Sequence, residues 1–159
     1  MANPYAAALE PYMLKFTADA LLSEAERATN LFDWGGKRWE EERFRANVTT
    51  LCESLEATAQ LTPLGRSRIH ARVFTMLVSR LRYLEARKAA RGVEEQALTR
   101  PLIGTGLGRA GTTFLHGILA ADPASKVVRA YEAAMPAPLM ADGRDIRSEL
   151  YQDILLYEG

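Results

Sequence analysis

The 159-residue chain has one cysteine and two histidines. A lone Cys52 excludes an internal disulfide and fits a reducing, cytoplasmic compartment. Cys52 lies on an apolar helical face, so burial is expected rather than reactivity. No second histidine, cysteine or carboxylate cluster stands at ligand spacing around His70, so no metal site is expected. No apolar run approaches the ~20 residues of a membrane span. Met1-Ala-Asn-Pro lacks the basic start and apolar centre of a signal peptide. Formal net charge is zero, so no global field draws nucleic acid or a membrane surface. Internal repeats and low-complexity tracts are absent.

What is present is a chain that is 48% hydrophobic, enough for one domain with a real core. Its charge is uneven. Residues 1–63 carry a net −4, residues 64–100 a net +6 and residues 101–159 a net −2.

The first two-thirds are helical in pattern. Residues 1–16 are expected to be irregular, because Pro4 and Pro11 break a helix. Thr17 caps a helix to about Thr29. Asn30 to Gly36 is a turn that Phe32 and Trp34 plug against the neighbouring helices. A second helix spans about Lys37 to Gln60, with Trp39, Phe44, Val48, Leu51 and Leu55 on one face. Thr62-Pro63 starts a third helix to about Ala90, a capping hydroxyl before proline at the first helical position. Its stripe is Ile69, Val73, Met76, Leu77, Leu81 and Leu84. Arg66, Arg68, Arg72, Arg80, Arg82, Arg87, Lys88 and Arg91 cover its other sides, mainly as a solvated face. The second and third helices should pack antiparallel, since only Leu61 and Thr62 join them.

Gly92 closes this region, and the domain boundary falls at residues 92–100. The expected organisation is an N-terminal helical region, 1–99, followed by an incomplete α/β domain, 100–159. GVEEQALTR is a polar connector with room for one helical turn. Leu102-Ile103 reads as a strand and Lys126 to Ala130 as a second, with a helix between them. That order implies a right-handed parallel crossover. MPAPLMADG reads as a proline-broken loop, and Asp145 caps a last helix through Ile146, Leu150, Ile154 and Leu155.

The chain's most informative stretch is PLIGTGLGRAGTTFLHG, residues 101–117. A short apolar run, a glycine-rich turn and a helix start form the local geometry that binds phosphate. Gly106-x-x-x-x-Gly111-Thr112-Thr113 has the spacing of a triphosphatase loop, with Thr112 in place of the lysine. Gly106-x-Gly108-x-x-Gly111 also satisfies the dinucleotide fingerprint, with Glu132 about 20 residues beyond it. A third reading is a tetrahedral anion bound without a metal. Arg109 supplies a fork of donors and the paired threonines supply hydroxyls.

PLIGTGLGRAGTTFLHGILAADP resembles the 5′-phosphosulfate loop of sulfotransferases that use 3′-phosphoadenosine 5′-phosphosulfate (PAPS). The matching residues are those of a bacterial family pattern: Gly106, Arg109, Gly111, Thr112, Thr113, Leu115, His116, Asp122 and Pro123. LFDWGGKRWEEERF and LTPLGRSRIHARVFTMLVSRLRYLEARKA are similar as well. The resemblance implies a P-loop-like parallel-sheet fold and PAPS as co-substrate. It implies sulfuryl transfer to a hydroxyl or amine of a small-molecule, carbohydrate or lipid acceptor. It assigns Gly108, Arg109, Ala110, Gly111, Thr112 and Thr113 to the phosphosulfate. It assigns Glu132 to the general base, with His116 as the weaker candidate.

Family members are much longer. The 3′-phosphate site and most of the acceptor pocket have no counterpart before Gly159, so the chain reads as truncated. Activity of this chain alone is therefore an open question. Two alternatives stand beside transfer. One is an inactive helical interaction module that retains the loop. The other is a nicotinamide-dinucleotide domain. An isolated strand–helix–strand unit would expose Leu102, Ile103, Val127 and Val128, so self-association as a symmetric dimer is expected.

Overall fold

The structure is a computed structural model that describes residues 15–90 and 92–158, with Glu94 and residues 153–158 described by backbone only. The irregular stretch expected at 1–16 and Arg91 fall wholly or mostly outside the described residues. The chain divides into two compact units, Met1–Lys88 and Ala89–Gly159. It is mostly helical, with one small two-stranded sheet among the described residues.

The first unit holds α1 (Ala18–Thr29), α2 (Arg38–Ala57) and nearly all of α3 (Pro63–Ala89). Local chemistry sets these bounds. The Thr17 hydroxyl accepts from the Ala20 N–H at 3.4 Å, and Asn30 ends α1 in the left-handed region at φ 54°. The Lys37 N–H donates to Glu40 Oε2 at 2.6 Å, a carboxylate returned to an orphan helix donor. The Thr62 hydroxyl accepts from the Gly65 N–H at 3.1 Å.

Leu21, Leu22 and Ala25 of α1 meet Val48 and Cys52 of α2 and Leu77 and Leu81 of α3 in one buried cluster with Phe16 and Trp34. Helices α2 and α3 run antiparallel. Phe44, early in α2, lies under Arg80 near the end of α3, with the guanidinium 4.2 Å from the ring centroid. Glu56, at the end of α2, pairs with Arg66 in the first turn of α3. Cys52 is buried, and that burial pushes its thiol pKa up, with Glu56 and Glu53 adding to the effect.

Four expected core residues lie elsewhere. In the Asn30–Gly36 turn only Trp34 is the plug. It is fully buried, its indole N–H donates to Glu26 Oε1 at 2.8 Å, and its ring stacks on Phe44. Phe32 is exposed, as are Trp39 and Leu51 of α2 and Met76 of α3. Gly35 makes the tight turn possible. Its φ is 78°, and a Cβ there would come within 2.6 Å of Leu84 Cδ2.

Several cations expected on a solvated face of α3 serve the first unit's own structure. Arg66 is buried, its Nη2 on Glu56 and its guanidinium 5.0 Å above the Phe16 ring. Arg80 Nε donates to the Trp34 carbonyl at 3.0 Å. Lys88 Nζ lies 2.6 Å from Asp33. No helix among the described residues is long and apolar enough to cross a membrane.

The second unit opens with a 3-10 turn, Val93–Glu95, in the polar connector. It continues with α4 (Thr112–Ala121), α5 (Ala130–Ala134), strands β1 (Met140–Ala141) and β2 (Arg144–Asp145), and α6 (Arg147–Glu158). Neither expected parallel strand is formed. Residues 101–107 have no regular structure, and 126–129 lead directly into α5. A strand exists only as one side of a hydrogen-bonded ladder, and no described segment lies alongside either stretch to complete one.

The only pairing among the described residues is antiparallel, in the stretch read as a loop. Met140 faces Asp145 and Ala141 faces Arg144. Asp142 and Gly143 turn this hairpin with φ 51° and 74°. Asp-Gly at two positive-φ positions is the pair such a turn favours. Asp145 does cap α6, its Oδ1 accepting from the Arg147 N–H at 3.1 Å.

Candidate anion-binding loop and its helix

The loop before α4 is shaped by two left-handed residues. Arg109 has φ 67° and Gly111 has φ 81°. An arginine in that region is uncommon, and glycine is the residue that enters it without strain. The Ala110 N–H closes the turn on the Leu107 carbonyl at 3.2 Å. A Cβ on Gly106 would approach Thr112 Cγ2 to 2.9 Å, so the glycine lets the loop lie back on the helix start.

Gly111 is the N-cap of α4 and has no side chain to cap with. The helix's own bonding begins with the Leu115 N–H on the Gly111 carbonyl, at 3.0 Å. The first-turn N–H groups of Thr112, Thr113 and Phe114 therefore have no N-cap side chain in front of them. The positive end of the helix dipole adds to their pull on an anion. Arg109 is exposed, and its guanidinium has no ion-pair partner among the described residues. Gly108 has open space where a Cβ would stand.

Of the expected phosphosulfate contacts, Gly108, Arg109, Gly111, Thr112 and Thr113 all lie in this exposed arc. Ala110 lies in it as well, but its N–H serves the turn.

His116, one turn into α4, faces the segment that follows the helix. Its Nε2 donates to the Val128 carbonyl at 3.1 Å. Asp122 ends α4 and takes the Ala124 N–H and the Ser125 hydroxyl on its carboxylate, reversing the chain. Residues 125–129 then return along α4, with Ala120 near Ser125 to Val127 and His116 at Val128. Arg129, Tyr131 and Glu132 line one groove with Ala120, near the end of that helix.

Glu132 is half-buried at the third position of α5. Its Oε2 accepts the Arg129 N–H at 2.7 Å. The other carboxylate oxygen is left for other work. A groove of about 240 Å³ opens there, lined by Ala120, Ser125, Lys126, Val127, Arg129, Tyr131 and Glu132.

Arg147 is the residue of this unit that sequence patterns did not single out. It is buried, which is rare for an arginine without partners. Its Nε and Nη2 hold the Asp145 carboxylate, and its Nη1 donates to the Met135 carbonyl at 2.8 Å. The guanidinium lies 5.6 Å from the Tyr131 ring centroid. It thus ties the end of α5 to the hairpin. The guanidinium holds the Asp145 carboxyl below the usual carboxylate range, and Asp145 in turn raises the Arg147 pKa. The signal was the Asp-x-Arg spacing at 145–147, which is too short and too common to stand out. No group of three His, Cys, Asp or Glu side chains able to hold a metal occurs among the described residues.

The surroundings are unusually apolar for a surface. None of the side chains of α4 is buried. Leu102 and Ile103 are each 78% exposed and Phe114 76%; Leu107 in the loop, Ile118 on the same helix and Val128 in the segment after it are exposed as well.

Comparison with protein-family models finds no match, and comparison with curated proteins finds none either. Among solved structures the chain is similar to the crystal structure of sulfotransferase STF1 from Mycobacterium tuberculosis H37Rv. The TM-score is 0.77 at 29% identity, over 91% of this chain and 40% of that one. The chain thus has a sulfotransferase-like fold and spans about two-fifths of the length of that protein.

Proposed function

We propose that this chain is the donor-binding portion of a PAPS-dependent sulfotransferase. The observation that carries the reading is the arc of unclaimed donors at the start of α4. Arg109 has no partner among the described residues, and Gly111 leaves the first-turn N–H groups open. That arc sits in a chain similar to a sulfotransferase along most of its length.

The donors proposed for the 5′-phosphosulfate are the Arg109 guanidinium, the N–H groups of Gly111, Thr112 and Thr113, and the two threonine hydroxyls. Gly108 allows close approach. Fixed donors of this kind stabilise charge that builds on the bridging oxygen as the sulfur–oxygen bond to the phosphate breaks. A new sulfur–oxygen or sulfur–nitrogen bond forms to the acceptor, and 3′-phosphoadenosine 5′-phosphate (PAP) leaves. Glu132 is proposed to take the acceptor's proton. His116 is proposed to position the returning segment, since its Nε2 proton is already donated to Val128.

Self-association belongs to the same reading. Leu102, Ile103, Phe114 and Val128 are all exposed, and soluble monomers rarely leave much large apolar surface uncovered. A second copy of the chain is the proposed cover, in a cytoplasmic setting.

The test is transfer of radiolabelled sulfate from PAPS to a panel of alcohols and amines, alongside a PAP titration. Transfer, or saturable PAP binding that depends on Arg109, supports the reading. Neither transfer nor binding, with NAD(H) bound instead, would replace it with the dinucleotide reading.

A further inference from the structure

The groove beside α4 contains charge that the transfer chemistry leaves unused. Lys126 and Arg129 line the same cavity of about 240 Å³ as Glu132. Neither cation has an ion-pair partner among the described residues. Glu132 offsets one of these two charges at most, so the groove keeps a net positive charge. Two like charges in one small groove repel each other, and an anionic guest relieves that repulsion. Tyr131 and Ser125 add a ring and a hydroxyl to the lining.

Ala120, in the last turns of α4, lines the groove together with Ser125, Lys126, Arg129 and Glu132. The carboxylate proposed to take the acceptor's proton and the two cations therefore share one groove, and a guest that carries both a hydroxyl and an acid group suits it.

We propose that this groove is an acceptor subsite, and that the acceptor carries an anionic oxyacid group besides the hydroxyl that receives the sulfuryl group. The inference rests on the sulfotransferase reading for the word acceptor, and on the groove alone for the preference for an anion. A neutral sugar would leave both cations unpaired, whereas a carboxylate or phosphate forms charge-assisted hydrogen bonds with them.

The experiment is an amide-resolved NMR titration of the chain with glucose, glucuronate, glucose 6-phosphate and PAP. The expected result is that the acidic sugars shift the amides of residues 125–132 with an affinity about tenfold or more above that of glucose, the scale of one charged hydrogen bond. Response to both acids assigns the preference to charge, and response to one narrows the class. The combined substitution Lys126→Ala and Arg129→Ala should abolish the difference. Should that variant fail to fold, Lys126→Gln and Arg129→Gln made singly should each reduce it.

The proposal is overturned if glucose binds as well as the acids, if no probe shifts these amides, or if the variants keep the preference. It is also overturned if PAP shifts 125–132, which would make the groove a nucleotide site. PAP shifts at 108–113 report on the sulfotransferase reading separately. Their absence overturns that reading, while the sugar arms still decide the groove's charge preference.

Discussion

His116 Nε2 donates to the Val128 carbonyl at 3.1 Å, a contact that ties the returning chain to α4. It links the helix that starts at the anion loop to the segment that delivers Glu132. Removing the imidazole should loosen that segment without touching the loop. His116→Ala is expected to lower protection of the Arg129 and Ala133 amides against hydrogen exchange by about 1 kcal/mol, one net hydrogen bond. His116→Gln keeps a side-chain donor and should restore part of it. Unchanged exchange in His116→Ala would show that the segment is held by other means.

Arg109 is predicted to carry anion affinity. Arg109→Ala should weaken PAP binding by about 1.5–3 kcal/mol, the range for a hydrogen bond to a charged group. Isothermal titration measures it. An unaltered affinity in a chain that binds PAP would remove Arg109 from the site.

Glu132 both caps α5 and is the proposed base, and one substitution separates the two roles. Glu132→Gln keeps a carbonyl oxygen for the Arg129 N–H but cannot take a proton at neutral pH. In a preparation that transfers sulfate, turnover should fall by roughly 10²–10⁴-fold, the usual contribution of a general base. Affinity for PAP should stay constant. A variant with full turnover would return Glu132 to a purely structural part.

The first unit should show an acid-sensitive staple. Glu56 Oε1 accepts the Phe16 N–H at 2.6 Å and also the Arg66 guanidinium. The backbone N–H first, and Arg66 second, hold its carboxyl below the ordinary value of 4.5. A carboxyl whose folded pKa is depressed contributes stability that is complete above its unfolded pKa and lost as pH falls through the folded one. Stability should therefore be insensitive to this group above pH 4.5 and fall below it. Glu56→Gln should flatten that acid limb in denaturation curves measured from pH 6 down to about 3, the region of carboxylate titration. An equally steep limb in the variant would place the acid sensitivity on other carboxylates.

Self-association is predicted through the apolar surface around the loop. Light scattering over a range of concentrations should show a dimer that dissociates on dilution. Ile103→Lys, at a side chain already 78% exposed, should shift the equilibrium toward monomer without unfolding the chain. A monomer at every concentration would show that this surface is left uncovered in solution.

Sequence alone determined the elements whose ends are local chemistry. Thr17, the Thr62-Pro63 pair and Asp122-Pro123 place helix ends within a residue or two of where the structure has them, because capping hydroxyls and proline act on their own turn. The glycine-rich loop was legible for the same reason. The Asp142-Gly143 hairpin was equally local, and its signal was hidden inside a proline-rich run.

Tertiary structure decided what depends on distant partners. Met76 and Leu77 are neighbours on α3, yet Met76 is 65% exposed and Leu77 5%. Periodicity finds an apolar stripe but not which edge of it meets α1 and α2. The same holds for Phe32 and Trp34, where only Trp34 has Glu26 and Phe44 to receive it. Leu102-Ile103 and Lys126 to Ala130 have strand composition, but a ladder needs a second backbone that no local signal supplies. Arg147 has meaning only once folding brings Met135, Tyr131 and Asp145 around it. Local hydrogen bonds close within a few residues and are written in adjacent letters. Burial and pairing are relations between segments far apart in the chain, and only the folded arrangement assigns them.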